Sequence, residues 1–430
     1  MYFPPMRGLR AARPLAYASV LAACLTLAAP HWAFAQSTPL SLAEAMTRAG
    51  RADPTQTATQ RRLEAADAGI RQAGVRPSPS VGIEAENFLG SSPYNGLNAT
   101  EFTLTYQQTL ERKSKREARV GAAAAEKELV RAEGRARTWA AMNAAQSLWI
   151  EAVAAEAEIG VARERLKLAE QSQAEISRRV SAARDPLFAG SLADAHVASA
   201  RIARDQAEAT ARQLKRQLAA LWGGGADFVL DAAALENTGA ATLEPTLTAT
   251  PDIDVLRARQ RASTAQIRVE NTRRVQDPTL SAGIRHFRAD GSVAFLVGGS
   301  IPLNRFNDNR GNIDRSRAEA EAASADIEAA ERFRERDIAA ATLRMNALAQ
   351  EVRRIDAEVI PLAEKAVAQV REGFARGGFT YRDVIGAQDT LMAAKARRVE
   401  VLKQFQIEQT KRDRLSGKWV ALLPDAEAAR

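Results

Sequence analysis

Residues 291–314 read GSVAFLVGGSIPLNRFNDNRGNID, and this stretch decides the fold. Val293, Phe295, Val297, Gly299 and Ile301 alternate with Ala294, Leu296, Gly298 and Ser300, which is the period of a strand, and neither face carries a charge. Pro302 ends the ladder because it has no N–H to give. A loop rich in Asn and Asp then leads into a run free of proline until Pro361. Few soluble domains need an uncharged strand that feeds a very long helix. A membrane barrel with helices projecting from it does.

Working outward, the whole chain suits that reading. It has 430 residues, 46% hydrophobic but only 5% aromatic, a balance that favours long helices packed through small side chains. Arg7, Arg10 and Arg13 precede an apolar run over residues 15–30, followed by Ala33, Phe34 and Ala35, so a secretory signal peptide cleaved after Ala35 is expected. Leu21-Ala22-Ala23-Cys24 also has the form of a lipobox, which makes Cys24 a candidate for lipidation, although apolar residues continue beyond it. Cleavage after Ala35 leaves no cysteine, which excludes disulfides and thiolate metal sites. The formal charge of +8 loses the three signal-peptide arginines and becomes about +5, with both signs interspersed along helices. That pattern describes solvated helix faces and excludes nucleic acid as a partner.

In chain order, Ser41 and Glu44 make a capping box at the head of a helical stretch that breaks at Ala52-Asp53-Pro54 and ends at Pro77 and Pro79. Two strands follow, near 80–88 and 100–109. Residues 114–183 contain no proline and as one helix would reach ~105 Å. Within them Ala145, Leu148, Ala152, Ala155, Ile159, Ala162, Leu166 and Ala169 step by three and four, a heptad seam. A turn over 184–190 and a returning helix over 191–222 follow, then an irregular stretch to residue 250. The pattern starts again: a helix over 251–274, strands over 279–287 and 292–301 joined by Asp290-Gly291, and a second seam of Ile338, Ala341, Met345, Leu348, Val352, Ile355, Val359 and Leu362. Pro361 is expected to kink or divide that helix. A second turn at Arg376-Gly377-Gly378 precedes a last helix that ends near Ser416.

This is an internal duplication with a period of about 200 residues. Pro77 and Gly82-Ile83 match Pro278 and Gly283-Ile284, and the turn at Gly190 is paired with that at Gly378. The expected division is a signal peptide over 1–35, a first repeat over 36–235, a linker over 236–250, a second repeat over 251–419 and a tail over 420–430. Four strands cannot close a barrel, since ~8 is the usual minimum, so strands must be shared between copies, and a trimer giving twelve is the simplest closure.

The residues resemble the TolC family of outer-membrane efflux proteins over almost the whole of 40–419, and most closely its CzcC-like, heavy-metal branch. The resemblance is carried by Glu84-Ala85-Glu86-Asn87-Phe88 with Gly90; by Gln108-Thr109-Leu110-Glu111 with Lys115-Arg116-Glu117-Ala118-Arg119; by Ile301-Pro302-Leu303 with Asn309-Arg310-Gly311-Asn312-Ile313; and by Gly378-Phe379-Thr380-Tyr381-Arg382-Asp383-Val384-Ile385 with Ala387-Gln388. Arg112-Lys113-Ser114 departs from that branch, which commonly has glycines there, and Asn307-Asp308 changes the usual spacing. The resemblance implies a mainly α fold with a membrane β-barrel: a homotrimer with a shared twelve-stranded barrel in the outer-membrane lipid of a Gram-negative bacterium, continued by a helical tunnel through the periplasm. It implies docking on a periplasmic adaptor and on an inner-membrane pump of the resistance-nodulation-division type. Among the family's constriction aspartates, Asp383 matches the first and Gly386 replaces the second.

Nothing in the sequence defines an enzyme or a cofactor site. His31, His196 and His286 are too few and too dispersed for a metal centre, so a metal cargo would pass through water. Arg184, Asp185, Gly190, Arg376, Gly377 and Gly378 are the expected adaptor-docking tips, and Asp383 the expected constriction, although a carboxylate in a first helical turn is also favoured by the helix dipole. A channel for multidrug efflux or type I secretion is the alternative function. A periplasmic coiled-coil adaptor would explain the helices but not two symmetric strand pairs.

Overall fold

The computed structural model describes residues 39–239, 248–303 and 308–424. The signal peptide and Cys24, residues 240–247 of the expected linker, residues 304–307 of the opening stretch and the end of the expected tail lie outside them. The chain order is α1 (Leu42–Arg51), α2 (Thr55–Ala73), β1 (Ser80–Glu86), β2 (Glu101–Thr109), α3 (Lys113–Ser181), α4 (Leu187–Ala220), α5 (Pro251–Arg273), β3 (Thr279–Phe287), β4 (Val293–Ser300), α6 (Arg310–Arg354), a π-helical turn (Ile355–Val359), α7 (Ile360–Ala375) and α8 (Tyr381–Ser416). The result is a mainly helical protein with one small antiparallel sheet.

The sheet is open, in the order β1-β2-β3-β4, with every neighbouring pair antiparallel. β1 stops at Glu86 because Asn87 and Leu89 turn left-handed, at φ 61° and 53°. The register lines up Ile83, Leu104, Ile284 and Phe295 across all four strands, with Val81, Tyr106, Ala282 and Val297 in the next row. One continuous apolar face results, and its side chains lie open: Ile83 is 80% and Val297 87% exposed.

From the sheet, α3 runs as one uninterrupted 69-residue helix. Near the strands α3 packs between α2 and α5, and α5 packs on α6; farther away α3 packs between α4 and α8, and α8 on α7. Each layer is therefore as open as the sheet, with a first-half element at one edge and a second-half element at the other. The largest core lies midway along the helices, where Ala145, Ile150, Ala152 and Val153 of α3 meet α1, the end of α4, Val352, Ile355 and the middle of α8. Beyond it the apolar contacts shrink to small clusters, such as Leu166 and Ala169 against Val197 and Ala200.

The first seam is buried at Ala145, Ala152, Ala155, Ile159, Leu166 and Ala169. The second departs from expectation. It is buried from Ile338 to Ile355 apart from the partly buried Leu348, but Val359 and Leu362 are 44% and 67% exposed, while Ile360 is partly buried and Ala363 and Val367 are buried in their place. The π turn explains this: an i→i+5 turn inserts one residue, so the seam takes a step of five from Ile355 to Ile360 before resuming steps of three and four. Pro361, which has no N–H for the ladder, follows directly.

Candidate functional site

Two regions carry the polar chemistry, and the first is the sheet's other face. There Arg285 of β3 donates to Thr103 Oγ1 at 2.9 Å and pairs with Glu101 at 3.0 Å and Glu86 at 2.9 Å, tying three strands together. Glu84, with Gly82, Thr105 and Ser281, shares that face. The sheet thus has an apolar side and a charged side, as a barrel with lipid outside and water inside requires.

Below the strands the family-like motifs act as joints. Lys115 pairs with Asp277 at 2.8 Å, and Arg119 grips Glu111 while donating to the carbonyls of Ala73 and Val75 at the end of α2. In the second half Asn309, left-handed at φ 59°, donates from Nδ2 to Glu270 O and Oε2 at 2.9 and 3.0 Å. Burial would raise the Glu270 carboxyl, but Asn309, Arg273 and Gln266 together hold it below its usual value.

The second region is the pair of turns at the far end. After α7, Gly377 adopts φ 82°, its N–H reaches Phe374 O, and Gly378 N reaches Gly373 O: a Schellman cap. The first turn has the same bonds, Ala183 N to Val180 O and Arg184 N to Arg179 O, but its left-handed residue is Ala183, at φ 56°. Gly190, expected in this turn, lies inside α4, which starts at Leu187 directly after Pro186. Hydrogen bonding therefore matches Arg184, and not Gly190, with Gly378.

Arg179 joins the two turns. Its guanidinium pairs with Asp185 at 2.5 Å, donates to Phe374 O at 2.9 Å and lies 4.3 Å from the Phe374 ring centre. Beneath it Ile176, Ala189, Ala193, Phe374, Tyr381 and Val384 form one buried cluster. Asp185 is thereby an internal strut, while Arg184, Arg376, Gly377 and Gly378 lie exposed and Arg376 pairs with Glu372 at 2.5 Å. Leu187 and Phe188 are 82% and 71% exposed beside them, an apolar pair that sequence reasoning passed over although it directly follows Pro186.

Asp383 is the third residue of α8. Its Oδ2 accepts from Thr380 N at 2.8 Å and from Thr380 Oγ1 at 2.7 Å, while its own N–H donates to Thr380 Oγ1, which completes a capping box. These bonds, the hydroxyl first and the backbone second, hold its carboxyl below the usual aspartate range. It is exposed. His196 and His286 are far apart, on α4 and β3, and among the described residues no group of three or more His, Cys, Asp or Glu side chains could hold a metal ion. Among the described residues no helix is long and apolar enough to cross a membrane.

Residues 243–418 match the family described as Outer membrane efflux protein. The fold matches the VceC outer membrane protein of Vibrio cholerae, with a TM-score of 0.66 at 23% identity over 87% of this chain and 96% of that one. It also matches the open-state MtrE outer membrane channel of Neisseria gonorrhoeae, with a TM-score of 0.64 at 14% identity over 89% and 90%. The sheet and the long helices thus have the fold of these outer membrane channels, and the family match lies in the second half of the chain. The chain is similar to the cobalt-zinc-cadmium resistance protein CzcC of Cupriavidus metallidurans, 27% identical over 88% of this chain and 90% of the relative. The nickel-cobalt-cadmium resistance protein NccC of Alcaligenes xylosoxydans xylosoxydans is 27% identical over 64% and 63%.

Proposed function

We propose that this chain is the outer-membrane channel of a tripartite resistance-nodulation-division efflux system that exports heavy-metal cations. The observation that carries the channel reading is the open four-stranded sheet, apolar on one face and charged on the other, continuous with helices as long as α3. Cargo rests on the metal-resistance relatives. Three copies, each built from two repeats, close a twelve-stranded barrel in the outer-membrane lipid, and the helices extend it through the periplasm. The exposed turn residues Arg184, Arg376, Gly377 and Gly378 receive the adaptor on Asp185-braced tips, and Asp383 lines the constriction.

Two measurements test this. Detergent-extracted protein should run as a heat-sensitive trimer and conduct ions in a planar bilayer. Deleting the gene should lower resistance to cobalt, zinc or cadmium; unchanged metal resistance with increased drug sensitivity would move the cargo to the multidrug class.

A further inference from the structure

A cavity of about 390 Å³ opens between α2 and α3, walled by Thr57, Gln60, Leu63, Arg131, Leu423 and Pro424. Its floor is the Thr59 side chain seated against the bare backbone of Gly134, where an added Cβ would stand 2.3 Å from the Thr59 methyl. The cavity sits on α2, one edge of the helical layer nearer the sheet. The opposite edge is α6, which carries Phe333, 56% exposed, with the Arg336 guanidinium 5.0 Å from one side of its ring.

The levels lie close together. Through β2 the register sets Ser80 of β1 level with Ser281 of β3, so Thr59 shares its rung with Gln260 of α5. One turn farther from the sheet Arg257 pairs with Glu331 at 3.0 Å, two residues from Phe333, which places Phe333 about a turn and a half from that rung, towards the Gln56 and Thr57 end of the cavity. The connectivity also corresponds, because α2 leads into β1, one open edge of the sheet, and α6 follows β4, the other. Any ring that closes the sheet by joining β4 of one copy to β1 of the next sets α6 of the first beside α2 of the second. Such an interface is heterologous, with different surfaces meeting at every joint.

We propose that Phe333 of one copy enters the α2–α3 cavity of the next, and that this knob fixes the vertical register between copies. The walls suit it, since Leu63, Leu423 and Pro424 offer apolar contact and Arg131 offers a cation to a ring face. The inference rests on the trimeric reading above.

The test uses the full chain in detergent, with cysteines at Phe333 and Gln60 and a short bis-maleimide linker, which adds one thiol at each end. Phe333→Cys together with Gln60→Cys should give covalent trimers, and each single variant should give none. Filling the cavity with Gln60→Trp should lower the temperature at which the trimer dissociates, and adding Phe333→Ala should restore it. If the trimer forms but the pair does not link and Gln60→Trp changes nothing, the knob is overturned and the trimer stands. Linkage by Phe333→Cys alone would show like meeting like and overturn it as well. Absence of any trimer removes the knob and the reading beneath it.

Discussion

Ala183 and Gly377 hold the same place in two Schellman caps, yet only one is glycine. A left-handed alanine costs ~1–2 kcal/mol, part of which glycine returns as unfolded-state entropy. Ala183→Gly is therefore expected to stabilise the protein by up to ~1 kcal/mol, and Gly377→Ala to destabilise it by about as much, read from urea unfolding followed at the tip. Gly377 was legible because a Gly pair after a helix announces its end. Ala183 was not, since nothing in an alanine announces a positive φ, and Gly190 drew attention in its stead. Arg179 was equally hidden, because its partner Phe374 lies 195 residues away in the chain. For Asp383, three copies brought together should attract cations and repel anions, over the ~8 Å that salt allows at physiological strength. Asp383→Asn should weaken cation selectivity at low salt and reduce block by multivalent cations from the periplasmic side; identical reversal potentials would remove Asp383 from the constriction. Because Thr380 depresses its pKa, the charge and the stability of the cap are fully present above the ordinary aspartate pKa and fade only as pH falls through the lower folded value. Selectivity should therefore persist into mild acid, which pH-stepped bilayer recordings can follow.

At the scale of elements, the heptad seams were the most legible feature, because alanine and leucine at steps of three and four leave few alternatives to paired helices. Leu148 and Leu348 both pack against the largest core. Proline at either position costs ~3 kcal/mol before any packing is lost, so Leu148→Pro and Leu348→Pro should each abolish trimers and metal resistance. Full amounts of heat-sensitive trimer from either variant would mean that these helices are not continuous. The seam became illegible at Val359, where a heptad count has no way to register an inserted residue, and Pro361 signalled a disturbance without revealing its phase. Arg398 now braces that turn, pairing with Asp356 at 2.6 Å and Glu236 at 3.0 Å.

For the whole molecule, the strand pairs and long helices could be read from alternation and the spacing of prolines, whereas strand order and edges required coordinates, since pairing β2 with β3 joins residues far apart in sequence. Loops before β2 and between β3 and β4 leave the sheet on the side away from the helices. An epitope inserted at Ser92 should therefore bind antibody on intact cells; binding only after permeabilisation would invert the topology. The unpaired outer edges of β1 and β4 bear on kinetics too. In hydrocarbon each unpaired N–H or C=O costs several kcal/mol, so on the proposed trimeric reading a lone copy cannot stay in the bilayer and must wait in water for its partners. Insertion then becomes a multi-body event, and the surface-exposed amount should climb more steeply than in proportion to the quantity synthesised. At low expression the cell would hold a periplasmic reservoir of soluble protomers and few finished pores.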